Sequence, residues 1–599
     1  IEAGTGIGKS FAYLIPVLWA GTTAVVSTSN KGLMNQLWER DIPMLKQIAP
    51  RPFKAALLKG RSNYVCAMRL DALRKQPGLP HLDETLATLK EALSRVPSGD
   101  IGRMHLPAEL AARLTVSSRE CRGTQCEHYK TCYYERVKRE AVQADLVVTN
   151  HAMLCTNILL AENHILPIRP VLIIDEAHQL PHYAVEALTL ALERDQFWSL
   201  INGSMARQAV GDEGALTEIR ENYEALFREV ARQRPDAKAV RWAIQGELQA
   251  GLGLSEALGR LSRAISHSKA GDEADREMAR RQSEELTAVA QALAEPEPDT
   301  HIRLCELGAR AASRSVDGYD LSYRPLEVGR PLRSFLFDVW PRVICTSATL
   351  SVGNDLGWFR RKVGLVEAED QAPVITAAIP GPFNYREQML IYTPRRLTPV
   401  YNPRQQTFTQ TYVDALTGEV RRLLEVSGGR ALMLCTSRRR MQQLYDTLAP
   451  ELRDRYPCYV QGAMSQPALV TRFKRDGNAI LFATRGFWEG LDIPGEALAM
   501  VILDKIPFVP FNDPVIRKRE AQIKARGGNP FFEIQLGSAI LNLRQGSGRL
   551  IRSETDRGVI ALLDGRLLQK RYGQQILRSL PPGTRTTEFE HVAAFLQER

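Results

Sequence analysis

The chain has 599 residues, with 78 Lys and Arg against 68 Asp and Glu, and so a formal net charge of +10. That length exceeds one compact fold and leaves room for several buried cores, while the basic excess favours a polyanionic partner without naming one. Apolar runs such as ALAMVIL at 497–503 are too short to cross a bilayer, which excludes a membrane-spanning reading and leads to the expectation of a cytoplasmic protein.

The chain begins IEAGTGIGKSFAYLIP, without an initiator Met and with a glycine-rich turn already under way, so it reads as a fragment of a longer product. The pattern A-x-x-G-x-G-K-S departs from the strict phosphate-binding loop only in placing Ala3 where a first Gly is usual. Backbone N–H groups around Gly4, Thr5, Gly6 and Gly8 are candidates to cradle phosphates, with Lys9 on the β- and γ-phosphates and the Ser10 hydroxyl on Mg²⁺. The helix beginning after Ser10 presents its positive end to that site.

TTAVVSTS (22–29) reads as a buried strand ending in hydroxyls, and KGLMNQLWERDI follows with helical spacing of Leu33, Leu37 and Ile42. This alternation predicts a parallel sheet. It breaks at 61–140, a cysteine-bearing insertion, and resumes with DLVVTNHAML and PVLIIDEAHQL. Beyond Leu180 the spacing of Leu216, Ile219, Tyr223, Phe227 and Val230, and the absence of proline from 236 to 295, predict a helical region, with AEPEPDT at 294–300 as a turn between helical arms. Strands return at RVICTSATLS and then in a second α/β run containing RALMLCTS, AILFATRG, AMVILDKIP and GVIALLD. No internal repeat relates the two α/β regions.

Asp175 and Glu176 stand at the end of the apolar strand VLII, where α/β sheets gather ligand-binding residues. Phosphoryl transfer needs neutralised phosphate charge and a positioned water: Lys9, Ser10 and Asp175 suit the first task, Glu176 the second. In QGSGRLIR (545–552), Arg549 and Arg552 are three apart on an expected helix and read as arginine fingers supplied by the second α/β region. Hydrolysis at such a divided site is coupled to opening and closing of the cleft between the sheets.

Nine cysteines in a chain without secretory features argue against a disulfide framework. Cys66, Cys121, Cys126 and Cys132, spaced C-x54-C-x4-C-x5-C, lie in the insertion and suit either Zn²⁺ or a [4Fe–4S] cluster, since thiolate softness does not choose between them. Cys155, Cys345 and Cys435 read as small core residues. Phe487, Trp488 and Tyr64 suit base stacking and core packing equally.

Ten segments in order, from EAGTGIGKS through STSNKGLMNQL, LLKGRSNYVC, VVTNHAML, IIDEAHQLP, CTSATLS, LCTS, ATRGFWEGLDIPG and DKIPF to RQGSGRLIR, resemble the superfamily 2 DNA helicases of the XPD/DinG type, closest to the bacterial DinG-like branch of YoaA type. The resemblance covers essentially the whole chain. It implies an α/β fold with two RecA-like helicase domains, the first interrupted by a small iron–sulfur domain and a helical Arch domain. It divides the chain into motor domain 1 (1–60, 141–180 and 336–355), a cluster domain (61–140), an Arch (181–335) and motor domain 2 (356–599). The four cysteines match the ligands of a four-cysteine [4Fe–4S] cluster, in a small domain expected to be poor in sheet or helix and to act as a wedge.

The same resemblance places Thr28, Ser29, Gln36, Thr436 and Ser437 along a groove for the backbone of single-stranded DNA. Hydroxyls at strand ends grip phosphates without reading bases, which suits a translocating motor. Ser347 and Thr349 would link groove and nucleotide, with Glu489, Gly490, Asp492 and Gln545 near the nucleotide. ATP, Mg²⁺ and a [4Fe–4S] cluster are the implied cofactors, and single-stranded and forked DNA the implied partners of a monomer. The implied activity is ATP-dependent unwinding with 5′ to 3′ movement in repair or replication. Competing readings are an ATPase accessory to a missing nuclease domain, a redox-responsive DNA-binding protein, and a remodeller of RNA.

Overall fold

A computed structural model describes residues 1–599 apart from 5, 76–81, 160–164, 309–317, 354, 367–372, 403–406, 485–486, 488–496, 549, 552 and 599. Two parallel sheets organise the chain. The first has the order Val343–Thr346, Val171–Asp175, Ala24–Thr28, Leu146–Asn150, Ala55–Leu57. The second has seven strands, Cys458–Val460, Ile480–Thr484, Ala431–Cys435, Met500–Leu503, Gly558–Leu562, Met389–Tyr392 and Thr584–Thr586.

Near-continuous apolar strands follow from burial on both faces. In the first sheet Val25, Val147 and Leu172 point into one core and Val26, Val148 and Ile173 into another. The second sheet repeats the pattern, with Leu432 and Leu481 on one side and Met433 and Phe482 on the other. Register aligns the functional edge: Thr346 pairs with Asp175, and Thr28 with Asn150. The α/β fold class expected from the sequence is therefore the observed one.

Past residue 355 the chain stays with the first sheet. Phe359 and Val363 pack in the same core as Leu336 and Trp340. Ala378–Ile379 then pairs in parallel with Glu2–Ala3, the strand leading into the phosphate loop.

The stretch after Leu180 carries the expected helices, Glu213–Arg232, Gln249–His267 and Glu273–Ala294, with Leu216, Ile219, Tyr223, Phe227 and Val230 all buried. It also holds a four-stranded antiparallel sheet absent from the sequence reading, in the order Leu190–Leu192, Tyr319–Pro325, His301–Leu307, Arg241–Ala243. The turn at 294–300 accordingly joins a helix to a strand rather than two helical arms. The cysteine-bearing insertion is helical rather than poor in regular structure. Ala67–Arg74, Leu82–Arg95 and Ala108–Leu114 close around Leu70, Leu73, Leu89 and Leu114, an apolar set large enough for a core of its own.

Candidate functional site

Gly6 and Gly8 both adopt left-handed backbone conformations, at φ 77° and 74°, and Gly8 caps the helix Lys9–Trp19. A side chain at either position would strain that turn, which explains the glycine spacing. Lys9 Nζ folds back onto the Ala3 and Gly4 carbonyls at 3.3 Å each, within the loop it serves. Gly4 lies under the connector between the motors: a Cβ there would sit 2.9 Å from Gly381 Cα. Ser10 bonds the Asp41 carboxyl, which burial shifts upward and that bond pulls back.

Asp175 ends its strand buried, and the Tyr13 phenol donates to it at 3.4 Å. Burial first, and the neighbouring Glu176 charge second, raise its carboxyl to about 7, against the pull of Lys9. A buried carboxylate with so little positive charge around it is suited to a divalent cation.

Glu176 is one of two described non-glycine residues with positive φ, at 54°. Backbone strain of this kind persists where surrounding contacts hold it. Here the Ser347 hydroxyl donates to Glu176 Oε2 at 3.1 Å, and His178 Nδ1 lies 2.8 Å from Ser347 Oγ and 3.3 Å from Glu176 Oε2. The end of one strand is thus tied to the end of its neighbour. Thr349 is buried beside them, and its N–H donates to Ser347 Oγ at 3.2 Å.

His151 was not among the residues singled out from sequence. It is fully buried beneath this edge with Nδ1 2.7 Å from Ser27 Oγ, and burial pushes its imidazole down to about 4, so it stays neutral. Its position at the end of TNH, beside the strand that carries Ser27, was the signal that could have found it.

The hydroxyls assigned to the strand groove are engaged locally. Thr28 and Ser29 are buried, Thr28 Oγ1 donating to the Asn30 carbonyl at 3.3 Å and Ser29 Oγ accepting from Asn30 at 3.4 Å. Gln36 is exposed at the end of the helix Lys31–Gln36. In the second sheet, the Thr436 N–H and hydroxyl both donate to the buried Asp504 at 2.9 and 3.1 Å. Ser437 caps the next helix by accepting from the Arg440 N–H. These bonds fix two turns at the carboxyl edges of the sheets.

Gln545 is half-buried in the helix Gly537–Ser547, which ends before the two arginine candidates. Arg549 and Arg552 lie outside the described residues, as do Thr5, Trp488, Glu489, Gly490 and Asp492. Phe487 and Tyr64 are core residues: both are nearly inaccessible, and the Tyr64 phenol donates to Leu57 O at 3.1 Å and accepts from Lys59 N at 3.0 Å.

Cys66, Cys121, Cys126 and Cys132 line one pocket, together with Arg61, Tyr134 and Glu135. Arg61 Nη1 donates to Cys121 Sγ at 3.1 Å while Nη2 holds Glu135 at 3.1 Å and the guanidinium lies over the Tyr134 ring. The Gly123 N–H also points at Cys121 Sγ, at 3.4 Å. Burial pushes the Cys126 thiol up, and the three neighbouring cysteines add to that shift against a backbone bond from His128. Among the described residues no three His, Cys, Asp or Glu side chains are gathered closely enough to hold a single metal ion. The lobe is anchored to the first sheet by the buried pair Lys59–Asp100 at 2.6 Å.

Residues 420–583 match the family described as helicase C-terminal domain. The chain is 31% identical to the ATP-dependent DNA helicase YoaA of Escherichia coli strain K12, covering 100% of this chain and 92% of that protein. It is also 31% identical to the ATP-dependent helicase DinG of Mycobacterium tuberculosis strain H37Rv, with the same two coverages. A solved structure titled XPD helicase superposes with a TM-score of 0.57 at 14% identity, over 98% of this chain and 95% of that one, a likeness of fold. With a phosphate loop, an acidic strand end and a second parallel sheet in one chain, and full-length identity at that level, the protein belongs to the XPD/DinG type of superfamily 2 helicases.

Proposed function

We propose that the protein is an ATP-dependent DNA helicase that moves 5′ to 3′ on single-stranded DNA and opens duplex or forked DNA, as a cytoplasmic monomer serving repair or replication. The observation that carries the hydrolytic part is the Glu176–Ser347–His178 arrangement beside Asp175 and the phosphate loop. Lys9 binds the β- and γ-phosphates once it leaves the Ala3 and Gly4 carbonyls. Ser10 and Asp175 would hold Mg²⁺, which neutralises phosphate charge. Glu176, with one carboxylate oxygen oriented by Ser347, positions the attacking water and takes its proton. Arg549 and Arg552, the arginine-finger candidates of the sequence, would stabilise the charge spreading onto the phosphoryl oxygens.

Ser347 and His178 give a route from hydrolysis to strand movement, because both sit on turns at the sheet edge that also carries Thr28 and Ser29. Gln36, Thr436 and Ser437 extend that edge into a groove for a sugar–phosphate backbone. Gln545 and Asp492 complete the nucleotide side, with Gly4, Thr5, Gly6 and Gly8 cradling phosphates.

Cys66, Cys121, Cys126 and Cys132 would hold a [4Fe–4S] cluster. The feature that supports this reading is that the four thiols line a single pocket. Arg61 and the Gly123 N–H both donate to the Cys121 sulfur and orient it toward the same pocket.

Strand separation on duplexes with a 5′ or a 3′ single-stranded tail tests the motor and its direction together. Opening of the 5′-tailed duplex alone, and only with ATP, is expected; opening of the 3′-tailed duplex alone overturns the polarity. Cys126→Ser is expected to lose bound iron and visible absorbance together with strand separation, while retaining ATP hydrolysis. Unwinding that persists without iron removes the cluster from the mechanism.

A further inference from the structure

Glu2 is buried, and its carboxylate oxygens accept from two regions far apart in sequence. Oε2 accepts from the Leu350 and Ser351 N–H groups at 2.7 and 2.6 Å, and Oε1 from the Ser351 hydroxyl at 3.0 Å. Arg544 of the helix Gly537–Ser547 supplies the rest, Nη2 to Oε1 at 2.7 Å and Nη1 to Oε2 at 3.3 Å. The same Nη1 donates to Ser351 O and Oγ at 2.9 Å each. Burial works to raise the Glu2 pKa, but Arg544 and the two backbone N–H groups outweigh it and leave the carboxylate below its ordinary range.

We infer that Glu2, Ser351 and Arg544 form a positioning junction that sets the second motor domain's helix Gly537–Ser547 against the phosphate loop, so that cleft closure during hydrolysis depends on it. The inference deepens the ATPase reading and rests on it. Each member is one or two residues from a functional element: Glu2 opens the strand into Gly4–Gly8, Ser351 follows the Ser347–Thr349 turn, and Arg544 precedes Gln545. The junction is continuous with the backbone around the phosphate loop, because Ala3 N donates to Ser347 O at 2.9 Å and Gly4 N to Ile379 O at 3.3 Å, while Arg544 brings in the helix Gly537–Ser547. A charge-assisted, forked contact shielded from water holds orientation as well as distance, which a single exposed ion pair does not.

Displacing a divided site's second half by about 1 Å costs on the order of 10²-fold in rate. In the full-length protein, Arg544→Gln is therefore expected to lower kcat for single-strand-stimulated ATP hydrolysis by about that factor with little change in the KM for ATP. Arg544→Lys, which keeps the charge but not the fork, is expected to recover part of the rate. Glu2→Gln combined with Arg544→Gln is expected to be no slower than Arg544→Gln alone, because both act through one contact.

A second readout does not depend on turnover: energy transfer between fluorophores on the two motor domains, followed as a non-hydrolysable ATP analogue is added. Nucleotide-induced closure is expected in the parent and absent in Arg544→Gln. Closure at the parent's amplitude in that variant, a rate loss confined to KM, or multiplicative single effects would overturn the junction. A parent that closes on nucleotide yet hydrolyses none sinks the ATPase reading instead, while the comparison of closure between parent and variant still decides the junction.

Discussion

Two sets of arginine contacts join separate parts of this molecule, and they are built in opposite ways. Arg544 meets Glu2 with their side chains only 19% and 10% exposed, and all partners lie within one water-poor junction. Between the cysteine-bearing lobe and the helical insertion, Arg119 binds Glu193 and Glu285 at 2.8 and 2.6 Å, and Arg122 binds Asp272 and Asp275 at 3.2 and 2.7 Å. Those carboxylates are 35–55% exposed. A shielded fork keeps its strength in salt and its geometry under thermal motion, whereas exposed pairs are screened and contribute little each. The contrast sets a shielded contact suited to holding position against a clasp of exposed pairs suited to release.

The largest expected effect tests whether the chemistry belongs to the shielded side alone. Glu176→Gln is expected to lower ATP turnover by about 10²–10⁴-fold while nucleotide binding persists. Arg119→Ala with Arg122→Ala is expected to leave hydrolysis on short single strands at the parent rate. A comparable fall in both variants, measured by phosphate release, would break the contrast, because the clasp would then be part of the hydrolytic cycle.

How much of this was legible beforehand depends on where the relevant partners lie. The strands of VLIID, ALMLC and GVIAL are read directly because both faces of each are buried, so sequence and structure carry the same apolar signal. Glycine spacing around Gly6 and Gly8 likewise encodes backbone angles that no other residue adopts cheaply. His301–Leu307 was missed because HIRLCEL mixes charged and apolar residues within an otherwise helical composition. The strand tolerates Arg303 in its core only because Glu297 and the carbonyls of Gly246, Leu293 and Ala294 satisfy the guanidinium. Contacts such as Glu2 with Arg544 leave no local pattern at all, since their partners are 542 positions apart. The thiol set of the cysteine lobe was visible as a spacing, but the helices enclosing it were not, because its loops and short helices share one polar composition.

A smaller effect sharpens the electrostatic character of the nucleotide side. Asp175 is raised in the folded protein from 3.8 to about 7, chiefly by burial, so folding favours its protonated form. Its contribution to stability is then fully present below pH 4 or so and is lost as pH rises to about 7. Metal-free protein is expected to lose more Tm over that window than the Asp175→Asn variant does. Mg²⁺ with a non-hydrolysable ATP analogue should restore more Tm at pH 8 than at pH 5, because the cation binds the ionised carboxylate. Equal pH slopes for parent and variant would show that Asp175 is solvated and already paired.

The smallest effect concerns the clasp itself. Each exposed pair is worth about 0.2–1 kcal/mol, and the four pairs share only two arginines, so Arg119→Ala with Arg122→Ala should change global stability by no more than about 1–2 kcal/mol. Its consequence should instead appear in how fast a strand without free ends is captured. On the prediction that opening these pairs admits such a strand laterally, raising salt from 50 to 300 mM is expected to speed capture by the parent relative to the double variant, which lacks them. Circular single-stranded DNA, followed by stopped-flow fluorescence, removes threading from a free end as an explanation. Normalising each capture rate to that for a short linear oligonucleotide at the same salt cancels the general weakening of phosphate contacts. A ratio that is flat in salt for the parent, and identical in the double variant, would mean that these ion pairs decorate the lobe boundary without governing it. A ratio that rises with salt in the parent alone assigns release to Arg119 and Arg122, and leaves Arg544, shielded and forked, as the contact that must not let go.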